Sequence, residues 1–298
     1  MEIVVFGAGS LGSLVGGVLA RDHEVTLVAR EDHATTIREE GLRVTGELEA
    51  NVFPEARTDG RGLEADLAIV TVKAFDTLEA ARTLATGEFE AVLSLQNGMG
   101  NEEVLGEHVE TVLAGTASYG AIFREPGVVE CTGIGDVVLG SPAGGTSPVA
   151  DAVGEALSGV GLETTVATDM PRRLWEKLAV NAGINPVTAL TRAENTVVLE
   201  GEANELARAA TRETARTARA HGVTLSNREA LAALESVAEA TAANTSSMHQ
   251  DVLADRRTEI DAISGYVVER AREVGLEVPT NRILTALVRS WEREAGLR

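Results

Sequence analysis

The chain opens Glu2-Ile3-Val4-Val5-Phe6-Gly7-Ala8-Gly9-Ser10-Leu11-Gly12, and the reading of this stretch decides the fold. Its first residues, apolar and β-branched, predict a short strand, and glycines spaced G-x-G-x-x-G follow at once. An apolar helical segment runs on to about Leu19, and Glu24-Val25-Thr26-Leu27-Val28-Ala29 predicts a second strand. Strand, glycine turn, helix, strand is the order of a dinucleotide-binding unit. Gly7 permits the tight turn, Gly9 lets the backbone approach a pyrophosphate, and Gly12 allows close helix–strand packing. The helix N-terminus offers free N–H groups to the phosphates, with Ala8, Ser10 and Leu11 completing the turn.

Which dinucleotide binds depends on the end of the second strand, where a carboxylate suits the ribose hydroxyls of NAD and a cation the 2′-phosphate of NADP. Arg30 stands there and favours NADP, while Glu31 and Asp32 follow immediately and oppose it. A looser region extends to about Gly62, with Val44 and residues 52–53 as short strand candidates. Residues 66–72 read as a buried parallel strand ending at Lys73. Residues 91–95 read as another, running into Gln96-Asn97-Gly98-Met99-Gly100. Ligands of open α/β sheets bind outside the carboxyl ends of the strands. Lys73 is therefore expected near cofactor phosphates or ribose. Asn97 either contacts nicotinamide ribose or substrate, or simply forms the turn before Gly98. Residues 112–114, 119–123, 128–131 and 136–139 are expected to extend the sheet with antiparallel members. A helix over 148–157 and a strand near 163–167 close a first domain, residues 1–168.

From Asp169 onward the pattern is helix after helix, giving an all-α second domain, residues 169–298. Asp169 is expected to cap a helix with Pro171 in its first turn. That helix carries Trp175-Glu176-Lys177-Leu178-Ala179-Val180-Asn181-Ala182-Gly183-Ile184-Asn185-Pro186. Lys177, Asn181 and Asn185 fall at i, i+4 and i+8, one polar face on an otherwise apolar helix. Only two of the 26 basic residues are lysines, Lys73 and Lys177; the other 24 are arginines. An ammonium can give up its proton when desolvated, whereas a guanidinium does not. Further helices are expected over 201–220, from a Ser226-x-x-Glu229 capping box onward, over a long span 248–274, and from a cap at Thr280.

A net charge of -20 argues against nucleic-acid and anionic-membrane partners, since both are polyanions. With so few lysines it suggests adaptation to high salt, to be tested by stability that rises toward molar salt. The single cysteine, Cys131, excludes an intrachain disulfide and reads as a small strand residue. No charged leader precedes the first strand and no apolar run reaches about 18 residues, so a cytoplasmic protein is expected. The histidines show no metal-ligand spacing, and no metal is expected.

These motifs together resemble the ketopantoate reductases (2-dehydropantoate 2-reductases). The resemblance rests on the glycine turn, Val72-Lys73-Ala74, Asn97-Gly98-Met99-Gly100 and Trp175-Glu176-Lys177 through Asn181 and Asn185. Ser246-Ser247-Met248-His249-Gln250-Asp251 and Arg257-Thr258-Glu259-Ile260-Asp261 complete it. It implies an N-terminal Rossmann-type α/β domain followed by a helical domain, in a 6-phosphogluconate dehydrogenase-like arrangement. It also implies NADPH-dependent reduction of ketopantoate to pantoate in pantothenate and coenzyme A biosynthesis, with NADH as the alternative cofactor and a homodimer left open. The rival readings are a reductase of another 2-keto acid or an imine, and a non-catalytic dinucleotide-binding regulator. Under it Lys177 is the catalytic proton donor and Glu259 a carboxylate near cofactor and substrate. Asn181, Asn185, Asn195, Asn244 and Ser247 bind substrate; Lys73, Asn97 and Ala121 contact NADPH, and Arg30 its 2′-phosphate. A lysine in a cleft between domains would have its pKa lowered by desolvation, and a nearby Glu259 would oppose that.

Overall fold

A computed structural model describes residues 1–298. By their contacts they form two units: Met1–Gln96 with Asn101–Met170, and Asn97–Gly100 with Pro171–Arg298. No helix is long and apolar enough to cross a membrane.

The first unit begins with strand β1 (Glu2–Phe6), helix α1 (Ser10–Leu19), β2 (Glu24–Val28), α2 (Glu31–Glu40), β3 (Leu42–Gly46), β4 (Ala50–Val52) and β5 (Glu55–Arg57). It continues through β6 (Glu64–Val70), α3 (Thr77–Leu84), β7 (Glu88–Ser94), α4 (Asn101–Gly106) and β8 (Val112–Ala117). It ends with β9 (Gly120–Glu125), β10 (Val128–Gly133), β11 (Val137–Gly140), α5 (Pro148–Gly159) and β12 (Thr164–Val166). The main sheet runs β12-β11-β8-β7-β6-β1-β2-β5. Its six members from β5 to β8 are all parallel, in the spatial order of a doubly wound dinucleotide fold. Alternation along β1 explains why it sits centrally: Ile3 and Val5 join the core formed with Leu14, Val18 and Leu27, while Val4 and Phe6 join Val70, Ala81 and Leu84 on the other face.

Two sequence expectations change here. The main sheet takes β8 and β11, but β9 and β10 do not extend it. They form a second, four-stranded sheet of order β4-β3-β10-β9 with the short strands read at Val44 and Val52. The cause is non-local: β10 lies parallel to β3 from far back in the chain, Val129 facing Val44. The region before Gly62 also holds a full helix, α2, with only His33, Ala34 and Ile37 buried.

The second unit is helical: α6 (Met170–Thr191), α7 (Gly201–Ala220), α8 (Asn227–Ala240), α9 (Ser247–Leu253), α10 (Tyr266–Glu273) and α11 (Pro279–Glu294). Trp175, Leu178 and Ala182 of α6 enter one apolar cluster, and Val180, Ile184 and Val187 enter another. Each Val, Leu or Ile among them removed from water contributes about 1.5–3 kcal/mol. Gly183 lets α7 approach, since a Cβ there would lie 2.6 Å from Thr211 Oγ1. The Ser226–Glu229 capping box forms as expected. The long helix over 248–274 does not. It stops at Leu253, where Asp255 takes a positive φ of 47° and the Arg256 N–H turns back to the Asp251 carbonyl. It resumes as a wide π-turn, Asp261–Gly265, in which the Gly265 N–H reaches the Ile260 carbonyl at 2.8 Å. Nor does Thr280 cap α11. Its backbone N–H is itself the donor, to Glu213 of α7.

Candidate active site

The glycine turn engages its carbonyls and its first N–H groups internally and leaves open only the N–H groups at the start of α1. Gly7 takes φ +96°, and its N–H and that of Ala8 both donate to the Val28 carbonyl at the end of β2. The Gly7 carbonyl accepts from the Gly9 N–H at 2.6 Å and from Thr71 Oγ1 at 2.9 Å; the Gly9 carbonyl accepts from Ser13 N–H. Helix α1 has no side-chain cap and no acidic residue in its first turn, so the N–H groups of Ser10, Leu11 and Gly12 have no acceptor within the helix. Such an end attracts anions.

The glycines answer to different constraints. A Cβ at Gly12 would sit 2.4 Å from the Gly7 carbonyl oxygen, so that position is closed by backbone. A Cβ at exposed Gly9 would meet nothing nearer than 3.9 Å. What a side chain at Gly9 would fill is the open cradle above the turn, the space a pyrophosphate needs. The residues present therefore fit a dinucleotide. Lys73 follows β6 by three residues and starts a short 3-10 turn at Ala74. Like the glycine turn, it stands at the carboxyl edge of the parallel sheet.

Arg30 is exposed at the start of α2. The first of the two acidic residues after it is engaged within its own helix. Glu31 folds back along α2, accepting from Thr35 Oγ1 at 3.1 Å and from Arg38 at 3.4 Å. The backbone of Arg57 borders this corner, since β5 pairs with β2 and the Ala29 N–H donates to the Arg57 carbonyl at 2.8 Å, while its guanidinium pairs with Glu55 at 3.0 Å. Sequence reading missed Arg57 because β5 is three residues long. It missed Thr71 because only the fold shows that hydroxyl on the Gly7 carbonyl. Ala121 lies not at a strand end of the main sheet but on β9, paired with Cys131 in the second sheet. Cys131 itself is buried and free, an ordinary strand residue.

In the helical unit, Lys177, Asn181 and Asn185 share one face of α6; the first two are half-buried and Asn185 is buried. Asn185 Nδ2 reaches Ser247 Oγ at 3.5 Å, and one turn on, Thr188 Oγ1 and Ser246 Oγ lie 2.6 Å apart. Thr188 also hydrogen-bonds the Ile184 carbonyl, so Ser246 is the donor between the two hydroxyls. The start of α9 is thereby stitched to the polar stripe. Asn195 is brought to Asn244 through backbone, its N–H donating to the Asn244 carbonyl at 3.0 Å, while its side-chain nitrogen is engaged by Thr241 at 2.9 Å. Asn97 belongs with these residues, not with the sheet it follows. The Met99 N–H donates to the Ala262 carbonyl at 3.0 Å, and a Cβ at Gly98 would lie 2.6 Å from that oxygen. The loop therefore rests on the π-turn just after buried Glu259. That π-turn is pinned by Asp261, which receives Arg289 at 2.6 Å, Arg257 at 3.5 Å and Arg298. Burial alone would raise the Asp261 pKa, but the hydrogen bonds from Arg298 and Arg289 outweigh it and hold the carboxyl below its usual range.

An oxyanion forming beside an ammonium, with amides and a hydroxyl at one to two turns' distance, is chemistry this helix can support. Comparison with known proteins identifies the family. Residues 3–144 match the family model described as ketopantoate reductase PanE/ApbA, and residues 169–292 match its C-terminal companion. A 2-dehydropantoate 2-reductase of Halobacterium salinarum is 44% identical, the match covering 99% of this chain and all of that protein. One from Archaeoglobus fulgidus is 37% identical, over 98% of each. Among solved structures, a PanE/ApbA family ketopantoate reductase from Ralstonia eutropha superposes with a TM-score of 0.91 at 32% identity, over 99% of this chain and all of that one. A D-mandelate dehydrogenase solved with NADH and anilino(oxo)acetate superposes over the full length of both chains with a TM-score of 0.94 at 25% identity.

Proposed function

The chain belongs to the PanE/ApbA ketopantoate reductase family, and on that premise we propose that it reduces 2-dehydropantoate (ketopantoate) to pantoate with NADPH. The observation that carries the reading is the stripe of Lys177, Asn181 and Asn185 on a helix otherwise embedded in apolar clusters, with Ser247 at its end. A sensor with no chemistry to perform has no need of an ammonium there.

When bound, the dinucleotide supplies the hydride that reduces the carbonyl carbon. Negative charge then builds on the carbonyl oxygen, and Lys177 Nζ gives it a proton, leaving a neutral amine that regains its proton from water. Arginine could not take this role, because its pKa keeps the proton in place. Asn181, Asn185 and Ser247 hydrogen-bond the substrate's hydroxyl and carboxylate without adding charge, while Asn97, on the loop resting on the π-turn, and Glu259, just before that turn, bound the site. In the first unit, the turn over Gly7–Gly12 holds the pyrophosphate, Lys73 the adjoining phosphate or ribose, and Arg30 the 2′-phosphate.

Oxidation of NADPH and NADH with ketopantoate, 2-ketoisovalerate, pyruvate and phenylglyoxylate tests this. The expected result is a kcat/KM for ketopantoate with NADPH at least tenfold above every other pair. The likeness to D-mandelate dehydrogenase supports a second reading, an NADH-dependent reductase of aromatic 2-keto acids, and preference for phenylglyoxylate with NADH would select it. No turnover with any keto acid would favour a non-catalytic dinucleotide-binding regulator.

A further inference from the structure

The glycine turn is braced from a direction that its motif does not specify. Ser13, fully buried in the second turn of α1, donates its hydroxyl proton to the Ala8 carbonyl at 3.1 Å. The same oxygen lies 2.9 Å from His33 Nε2, near the start of α2. The other ring nitrogen, Nδ1, is 2.9 Å from the backbone nitrogen of Gly127, between β9 and β10. A backbone N–H can only donate, so Nδ1 is the acceptor and the ring proton sits on Nε2. The hydroxyl proton of Ser13 is already directed at Ala8, so Ser13 accepts from Nε2. The chain runs one way without a break: Gly127 N–H to His33, His33 to Ser13, Ser13 to Ala8. Phe123 of β9 presents its ring to His33 edge-on at 4.8 Å, and its N–H donates to Ser10 Oγ at 3.1 Å. The second sheet therefore holds the turn at two points.

We propose that His33 is a positioning residue for the glycine turn, acting through Ser13 to fix the peptide joining Ala8 and Gly9 so that its carbonyl stays away from a bound pyrophosphate. This rests on the reading of Gly7–Gly12 as a dinucleotide site. That peptide is held at both ends, its N–H by the Gly7 carbonyl and its C=O by Ser13. Gly9 carries no side chain to resist a flip of this plane. Released from Ser13, the carbonyl could rotate outward and bring partial negative charge into an anion site. The consequence falls on dinucleotide affinity and leaves the proton-transfer chemistry on α6 untouched. Burial keeps the ring neutral, its pKa held down to about 4, so the donor–acceptor order persists at neutral pH.

The test compares Ser13→Ala, His33→Asn and His33→Gln with wild type by NADPH fluorescence titration, steady-state kinetics and thermal melting. A glutamine amide nitrogen can replace Nε2 as the donor to Ser13; the shorter asparagine cannot. The expected result is a dinucleotide Kd and KM raised about tenfold, one lost hydrogen bond's worth, in Ser13→Ala and His33→Asn. kcat and keto-acid KM stay within about twofold, and His33→Gln returns affinity to near the wild-type value. Unchanged dinucleotide affinity in Ser13→Ala, the smallest of these changes, would overturn the proposal. So would a loss shared equally by kcat, both KM values and melting temperature, which marks a purely structural role. Wild-type protein that binds neither NADPH nor NADH would overturn the dinucleotide reading itself, and this inference with it.

Discussion

Glu213 of α7 caps α11 from outside: its carboxylate accepts the backbone N–H groups of Thr280 and Asn281, each at 2.9 Å, and Asn281 Nδ2 at 2.9 Å. A helix start leaves its first N–H groups without partners. Here a buried carboxylate from another helix takes the place of a local capping residue. Replacing it by alanine takes the acceptor from three donors, of which the Thr280 N–H is partly exposed and the two of Asn281 are buried. Glu213→Ala is expected to lower unfolding stability by about 3 kcal/mol or more in urea, with the slope of the transition unchanged. Glu213→Gln, which keeps one acceptor oxygen, should fall between. A change under about 0.5 kcal/mol for alanine would show that water caps the helix as well as Glu213 does.

Arg30 makes a separate prediction about cofactor choice. Glu31, the first of the two acidic residues after the second strand, is engaged by Thr35 and Arg38 along its own helix and not by Arg30. Arg30→Gln should raise KM for NADPH by roughly ten- to a hundredfold, the range for a lost charge-assisted contact. KM for NADH should stay within about twofold. Equal effects on both cofactors would place Arg30 away from the 2′-phosphate.

The buried His33 ring sets an acid limit. Desolvation lowers its pKa from 6.5 to about 4, so the folded state resists a proton that the unfolded chain accepts. Its contribution is fully present above pH 6.5 and is lost as pH falls from there to about 4, roughly 3 kcal/mol in all. Urea unfolding of wild type and His33→Gln across this window should therefore show the wild type losing more stability than the variant. Parallel curves would mean that the ring takes up its proton without cost in the fold.

The sequence made some of this plain and hid the rest for identifiable reasons. Residues 2–29 carry strand, turn, helix and strand contiguously, so local pattern suffices. The stripe on α6 is likewise visible, because spacing of four residues is a local property. The second sheet is not, because Val44 meets Val129 only after the intervening chain has folded. Helix α2 escapes because it buries just three side chains and so shows little apolar period. The break after Leu253 depends on a positive φ at Asp255, a conformation that aspartate tolerates but does not announce. Within the site, the glycines and Lys177 stand out as types. Ser13, His33 and Thr71 do not, since their roles come from partners distant in sequence. One signal for Ser13 was available: after Ser10 at the helix start, it is the one hydroxyl in a helix otherwise apolar and glycine-rich.

The account turns on proton donation by Lys177. The most direct measurement is kcat for ketopantoate reduction by Lys177→Ala at saturating NADPH, with dinucleotide affinity measured on the same protein. The account predicts a kcat lowered by orders of magnitude and an NADPH Kd within about twofold of wild type. Turnover retained within tenfold would contradict it, and some other group would have to protonate the product.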